Sequence, residues 1–374
     1  MLSQPPVWLI IVAFLGAIGP LVIVHELGHY WVARLFGVGA EQFSIGFGRE
    51  VGGWTDRRGT RWRIGWLPLG GYVKFVGDAD PTSLTKDDDN AGASGAAFDS
   101  RPPWQRFLIV LAGPVANFLL AIAIFAAFFA AYGAPATSSR IGSIVPGSAA
   151  AQAGLQPGDR IVTVAGRDTP TFEDIFRTVS LRPGETVEIE LVRNGRSEVR
   201  RATLATAVER DRFGQEYRVG RLGIGGGVPE VKPVPAARIV PLATSYVGAM
   251  ITATWDGLAQ IVTGRRPVSE LGGPLRMAQI AGQQASISLI DFVQLIAFFS
   301  INLGFINLLP VPALDGGHLV LTAIEGVRRK PVSPRVTEWA LRGGLAFLLG
   351  LMIVVTFNDL AAFGLWDKVG RLIG

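Results

Sequence analysis

Three residues within five, His25, Glu26 and His29, stand where the chain otherwise suits lipid: it reads LVIVHELGHYWVAR from residue 21 to 34. On a helix, side chains four apart share a face, so His25 and His29 can offer ring nitrogens to one divalent ion. Glu26 beside them has the reach to take a proton from an attacking water, the general base of a metal-assisted hydrolase. The chain has three histidines, and two of them fall in this pattern. A chance H-E-x-x-H in such a chain has odds on the order of one in a thousand. The competing reading, two interfacial histidines on an apolar helix end, leaves ionisable groups at membrane depth without a task, and such groups are expensive there.

A catalytic zinc takes three protein ligands and keeps a fourth position open. No further histidine follows at the spacing of soluble metzincins, so the third ligand must come from elsewhere in the chain. The stretch NLLPVPALDGGH, residues 307 to 318, offers Asp315, flanked by Gly316-Gly317 and preceded by Pro310 and Pro312. Prolines and glycines there break a helix and let backbone line a polar pocket. Taken alone, the same residues would merely end a helix; beside His25 and His29, the ligand reading prevails. His318, one turn beyond, reads as a surface or supporting residue. Two roles fit Asn307: an amide that holds substrate backbone or an oxyanion, or a polar link between helices. With no cysteine in the chain, disulfides, thiolate ligands and thiol nucleophiles are excluded.

The elements that must bring these residues together are apolar spans. Of 374 residues, 49% are hydrophobic and 17% charged, below the roughly 25% charged of soluble domains. Four segments have the length and apolarity of membrane helices: Val7 to about Tyr30, Phe107 to Tyr132, Phe292 to Leu309 and Leu341 to Phe357. The first has no basic residues before it and no small-residue cleavage site after it, so it is expected to be retained as a span. Arg328, Arg329, Lys330 and Arg335 crowd the link between spans three and four, which places it in the cytoplasm. Counting back, the N-terminus and residues 133–290 lie outside and residues 31–106 inside, so His25–His29 and Asp315 arrive at one depth near the cytoplasmic face. The net charge of +5 sits in short loops beside apolar runs. It fits anionic lipid and membrane orientation, and argues against nucleic acid as a partner.

With these pieces in place, the chain resembles the site-2 protease family of intramembrane zinc metalloproteases, in its bacterial regulator of sigma-E protease branch. The resemblance is carried by HELGH at 25–29, LPLGGYVKF at 67–75, GPVANF at 113–118, LGGP at 271–274 and NLLPVPALDGGH at 307–318, in the family's order. It implies one Zn2+ per chain held by His25, His29 and Asp315, Glu26 as the catalytic base, and Asn307 as a substrate-contacting residue. It also implies a substrate: a transmembrane helix of a partner, typically an anti-sigma factor already trimmed by an upstream site-1 type protease, or a remnant signal peptide. The setting is the bacterial inner membrane, and the cut is the second of regulated intramembrane proteolysis, a stress response. Well-known members carry two tandem outer PDZ modules, whereas this chain has room for one.

The expected fold is therefore a multi-pass α-helical membrane protein of about four transmembrane helices, with one inserted PDZ-like α+β domain and a membrane-associated β-hairpin. Its parts are a first span (1–32), a cytoplasmic-side loop (33–105) holding the hairpin at about 59–77, and a second span (106–133). A periplasmic PDZ-like domain (138–227) and an amphipathic interfacial segment (228–290) follow. A third span ending in LDGG (291–315), a fourth (336–358) and a tail (359–374) complete the chain. Residues 79–100 read as a flexible acidic loop. Gly70, Gly71, Tyr72 and Val73 could pair as a strand edge with an unwound substrate, beside Pro310 and Pro312; a hairpin merely resting on the membrane fits equally. In the PDZ-like domain, Leu222, Gly223 and Ile224 would form the peptide-binding edge, although a β-rich spacer that binds nothing also fits.

Three rival functions fit these residues less well. A membrane-anchored zinc peptidase on soluble peptides would not need its motif at the end of a span. A PDZ-bearing scaffold with a structural metal would be expected to have four protein ligands, and three are visible. A metal-ion transporter would need polar residues through the depth of several spans.

Overall fold

A computed structural model describes residues 5–77, 95–136, 139–210, 216–226, 230–264 and 272–362. Most of the acidic stretch at 79–94, and the tail beyond 362, lie outside these residues. The chain divides into two units, one of Met1–Ala127 with Val240–Gly374 and one of Phe128–Ile239.

The first unit is built on long helices: α1 (Val7–Leu35) and α2 (Pro103–Tyr132), then α5 (Ala236–Val262), α7 (Leu289–Asn307) and α9 (Pro334–Ala362). These five are long and apolar enough to cross a membrane. One of them, α5, falls where an amphipathic interfacial segment was expected. Its mean hydropathy of 1.2 compares with 2.7 for α1, lowered by Asp256 and a scatter of threonines. Shorter helices α6 (Pro274–Ile287) and α8 (Asp315–Arg328) precede α7 and follow it.

Contacts fix the helix directions. Gly28 of α1 lies against Ala112 and Ala116 of α2, while His25, earlier on α1, reaches Asn117, later on α2, so α1 and α2 run antiparallel. Gly16 faces Phe292, Ser300 Oγ donates to the Asn117 carbonyl and Gly304 lies against Pro114, so α7 runs parallel to α1. Gly344 meets Pro312 and Ala313, while Asp359 accepts from the backbone N–H groups of Gly273 and Arg276. The last helix, α9, is thus antiparallel to α7, and its buried Asp359 caps the N-terminus of α6, whose own cap position is a glycine with no side chain to do so.

Between α1 and α2 lies a two-stranded antiparallel sheet of β1 (Ala40–Thr55) and β2 (Arg61–Phe75), paired from Ala40 against Phe75 to Thr55 against Arg61 with repeated register shifts between, so that Phe43 lies opposite both Val73 and Trp62. The hairpin expected at 59–77 is therefore a single strand, and its partner lies upstream. Four glycines, Gly46, Gly48, Gly52 and Gly53, dilute the alternation of β1, which hid it from periodicity. Gly70, at φ +100, carries β2 through a bend with Phe47 packed over it. An aromatic ladder docks the sheet: Tyr30 of α1 meets Phe43 edge-on at 5.9 Å, and Phe43 stacks on Trp62 at 4.4 Å. Asp56 closes the turn, accepting from the backbone of Arg58 and Thr60 and from the Trp62 indole.

The second unit carries a four-stranded sheet ordered β6 (Arg167–Asp168), β5 (Arg160–Val164), β7 (Thr186–Arg193), β8 (Arg196–Thr203). In β7 the alternation sends Val187, Ile189 and Leu191 inward, where they meet Ile161, Val164, Ile175 and Val179 in one core. Helix α4 (Phe172–Ser180) begins in a capping box formed by Thr171 and Asp174, while α3 (Ala149–Gln152) is capped by Ser148. Small antiparallel pairs join β4 (Ile141–Ile144) to β11 (Ile224–Gly226), β9 (Ala205–Arg210) to β10 (Glu216–Arg221), and β3 (Ala134–Ala136) to β12 (Glu230–Lys232).

Candidate metal centre

Helix α1 carries His25 and His29 on one face, with rings edge-on at 4.8 Å between centroids and Nε2 atoms 3.2 Å apart. Both are buried, 7% and 8% exposed. Asp315, the first residue of α8, brings Oδ2 to 3.1 Å from His25 Nε2 and 3.4 Å from His29 Nε2. One ligand atom from each of the three lies within 4.8 Å of the others. Beyond the two nitrogens, buried Oδ2 has no partner. Two imidazole nitrogens and an otherwise unpartnered buried carboxylate oxygen, converging on one point, form a donor set that fits a divalent ion of the zinc type.

Glycines make this convergence possible. A Cβ on Gly113 would strike the His29 ring, and one on Gly28 would come within 2.8 Å of the Ala116 methyl. Both absences let α1 and α2 close until His29 Nδ1 donates to the Ile109 carbonyl at 2.9 Å. Across the site, a Cβ on Gly316 would meet the main chain of Leu308 and Leu309, and one on Gly317 that of Val311 and Pro312. The start of α8 therefore tucks under the end of α7 and aims Asp315 back at α1. An acidic residue in that first turn also suits the positive end of the helix.

Glu26 sits beside β2. The backbone N–H of Val73 reaches its carboxylate, and a Cβ on Gly71 would come within 3.4 Å of its Cγ. Of the four strand residues singled out, Gly71 and Val73 thus border the site. Tyr72 stacks on Phe47 and donates to Gln42 at 3.0 Å, and Gly70 lies under Phe47. Asn307, the last residue of α7, places Nδ2 3.5 Å from His25 Nε2, close enough to face a group bound there. Pro312 packs against Gly317 and Gly344, whereas Pro310 is exposed. In the second unit Leu222 is buried in the core, leaving its carbonyl to accept from Ala150. Gly223, at φ +81, accepts from Val145, and Ile224 pairs with Ile144.

Two contributors escaped sequence reading. The Ile109 carbonyl orients His29, and Asn117, fully buried on α2, lies 3.2 Å from His25 Nδ1. Their trace in the sequence was the polar Asn117 in an apolar span, four residues after Gly113.

The peptidase family M50 model matches residues 13–351, and the chain belongs to that family, whose enzymes use zinc. Metalloprotease MmpA of Caulobacter vibrioides is 36% identical over 393 residues, covering 97% of this chain and 98% of its own. A relative from Agrobacterium fabrum, which carries a provisional zinc-metalloprotease name, is 40% identical over 365 residues, 94% of this chain and 96% of its own. Among solved structures, the PDZ domain of an SdrC-like protein from Listeria monocytogenes matches at 19% identity over 25% of this chain and 90% of its own, with a TM-score of 0.19.

Proposed function

We propose that this chain is an intramembrane zinc metalloprotease of the site-2 type. It hydrolyses a peptide bond in the transmembrane helix of a membrane protein already shortened on its outer side, an anti-sigma factor or a remnant signal peptide. The observation that carries the reading is the meeting of His25, His29 and Asp315 beside Glu26, on helices apolar enough to span a bilayer. His25 is 18 residues into α1, about 27 Å along its axis at 1.5 Å per residue, against a hydrocarbon core of about 30 Å.

In this reading His25, His29 and Asp315 hold the ion. A bound zinc supplies Lewis acidity, polarising the scissile carbonyl and acidifying water. Glu26 takes the proton from the attacking water and returns it to the leaving amine. Asn307 holds the substrate carbonyl. Residues 71–73 of β2, bordering Glu26, pair with an unwound stretch of substrate, since a helical peptide bond is shielded by its own hydrogen bonds. Residues 138–227 act as a PDZ module that admits trimmed substrates through the edge at Leu222–Ile224.

The directions of α1, α2, α7 and α9 support four net crossings of the inner membrane. Because α2 ends on the side where α7 begins, residues 133–288 return to the side they left. Helix α5 therefore either stays on that side or is followed by a return. The basic link at 328–335 then faces the cytoplasm and the second unit the periplasm.

The test is co-expression with tagged single-span membrane proteins, comparing wild type with Glu26→Gln. Fragments are expected only with wild type, while Glu26→Gln keeps its zinc. Fragment release by Glu26→Gln would remove Glu26 from its role.

A further inference from the structure

The two histidines on α1 are held from behind by different groups. His29 Nδ1 faces the Ile109 carbonyl, which can only accept. His29 therefore carries its proton on Nδ1 and turns an Nε2 lone pair toward Asp315. His25 likewise turns Nε2 to the site, 3.1 Å from Asp315 Oδ2, but its Nδ1 faces Nδ2 of Asn117 at 3.2 Å. An amide nitrogen only donates. In that orientation His25 Nδ1 accepts and the imidazole proton sits on Nε2, facing Asp315 Oδ2 at 3.1 Å and the His29 Nε2 lone pair at 3.2 Å.

A ligand nitrogen needs the opposite placement, with the proton on Nδ1 and the lone pair on Nε2. Asn117 has one atom that can receive a proton from Nδ1, its Oδ1, and that atom is buried without a partner where it now points. A half-turn of the amide about Cβ–Cγ exchanges two atoms of nearly equal size, so it displaces no neighbour. The backbone of Asn117 is pinned meanwhile, because Ser300 Oγ, itself fully buried, donates to its carbonyl at 2.8 Å.

We propose that Asn117 is a positioning residue for metal binding: its side-chain carbonyl accepts the Nδ1 proton of His25 and so frees Nε2 to ligate the ion. The imidazole stays neutral throughout; a proton leaves Nε2 and one is carried on Nδ1. This rests on the metal centre proposed above and extends it from α1 to α2, so that the GPVANF stretch supplies Gly113 as room for one ligand and Asn117 as orienter of the other.

The test uses the full-length protein purified in detergent as wild type, Asn117→Leu and Asn117→Asp. Zinc affinity is measured by competition with a chromophoric chelator. Because the chain holds three histidines, selective imidazole 15N labelling also reports the tautomer of each. Asn117→Leu, close in size but unable to accept, is expected to bind zinc about 10- to 100-fold more weakly. Asn117→Asp, which can only accept at this position, is expected to restore wild-type affinity, with His25 protonated on Nδ1. Wild-type affinity in Asn117→Leu would overturn the proposal, as would equal weakening in both variants, which marks a packing role. If wild type takes up no zinc that depends on His25, His29 and Asp315, the metal centre itself fails and this proposal with it.

Discussion

At the scale of single residues, the centre works by letting backbones approach. His29 and the Ile109 carbonyl meet because Gly113 has no side chain. Gly113→Ala is expected to push the His29 ring off its position and lower zinc affinity at least tenfold while the protein still inserts and folds; chelator competition reads this, and unchanged affinity would show that the helices yield. Asp315→Ala is expected to lower zinc content by elemental analysis, since two imidazoles alone make a weak site. Unchanged stoichiometry would remove Asp315 from the ligand set. The two histidines, Glu26 and Asp315, which the structure brings together, stood out in the sequence because their signals are chemical: a spacing of four on one helix, and an acid among helix breakers. The part proposed for Asn117 did not, because it depends on which residue of α2 faces His25, and an apolar helix leaves that register open. Successive side chains of a strand point to opposite faces, and the Tyr72 ring and hydroxyl turn to Phe47 and Gln42, so the pairing proposed for this residue runs through its main chain.

Elements differ in how plainly the sequence announced them. The spans were legible because lipid demands long apolar runs, and their ends slipped by a few residues because helices continue past the hydrocarbon. Strand β1 was missed, since its glycines suit bulges and bends more than alternation. In the second unit, the turn leading into β5 is tied to the end of β7 by an ion pair: Arg193 donates to both oxygens of Asp159, whose side chain is 2% exposed. Burial alone would raise the Asp159 pKa, but the Arg193 guanidinium and the Gln156 N–H outweigh it and hold the carboxyl below its ordinary value. A carboxyl depressed in the folded state stabilises fully above its unfolded pKa of about 3.9, and that stability drains away as pH falls below it. Hydrogen exchange of peptides spanning 160–193 in the full chain, followed through denaturant at pH 6 to 3, should show wild type losing its advantage over Asp159→Asn below about pH 4. A constant difference between the two across that window would show that this pair does not govern the acid response.

For the whole molecule, the decisive relation is direction. Parallel α1 and α7, with antiparallel α2 and α9, permit an even number of traverses between residues 133 and 288. The absence of cysteine makes the wild-type chain a ready background for labelling. Cysteines placed singly at Lys330 and Arg196 are expected to react with a membrane-impermeant maleimide from opposite faces, the first only in inverted vesicles and the second only in intact spheroplasts. Labelling of both from one side would reject the four-crossing arrangement. A third, at Thr263 just past α5, reports whether that helix reaches the cytoplasmic face.

The donors proposed for the ion lie far apart along the polypeptide, with residues 30 to 314 between His29 on α1 and Asp315 on α8. A ribosome must therefore pass Asp315 before an ion can be gripped from both sides. If these residues are the ligands, a product that stops short of α8 carries only two imidazoles and is inert, and hydrolytic power waits for α8 to dock.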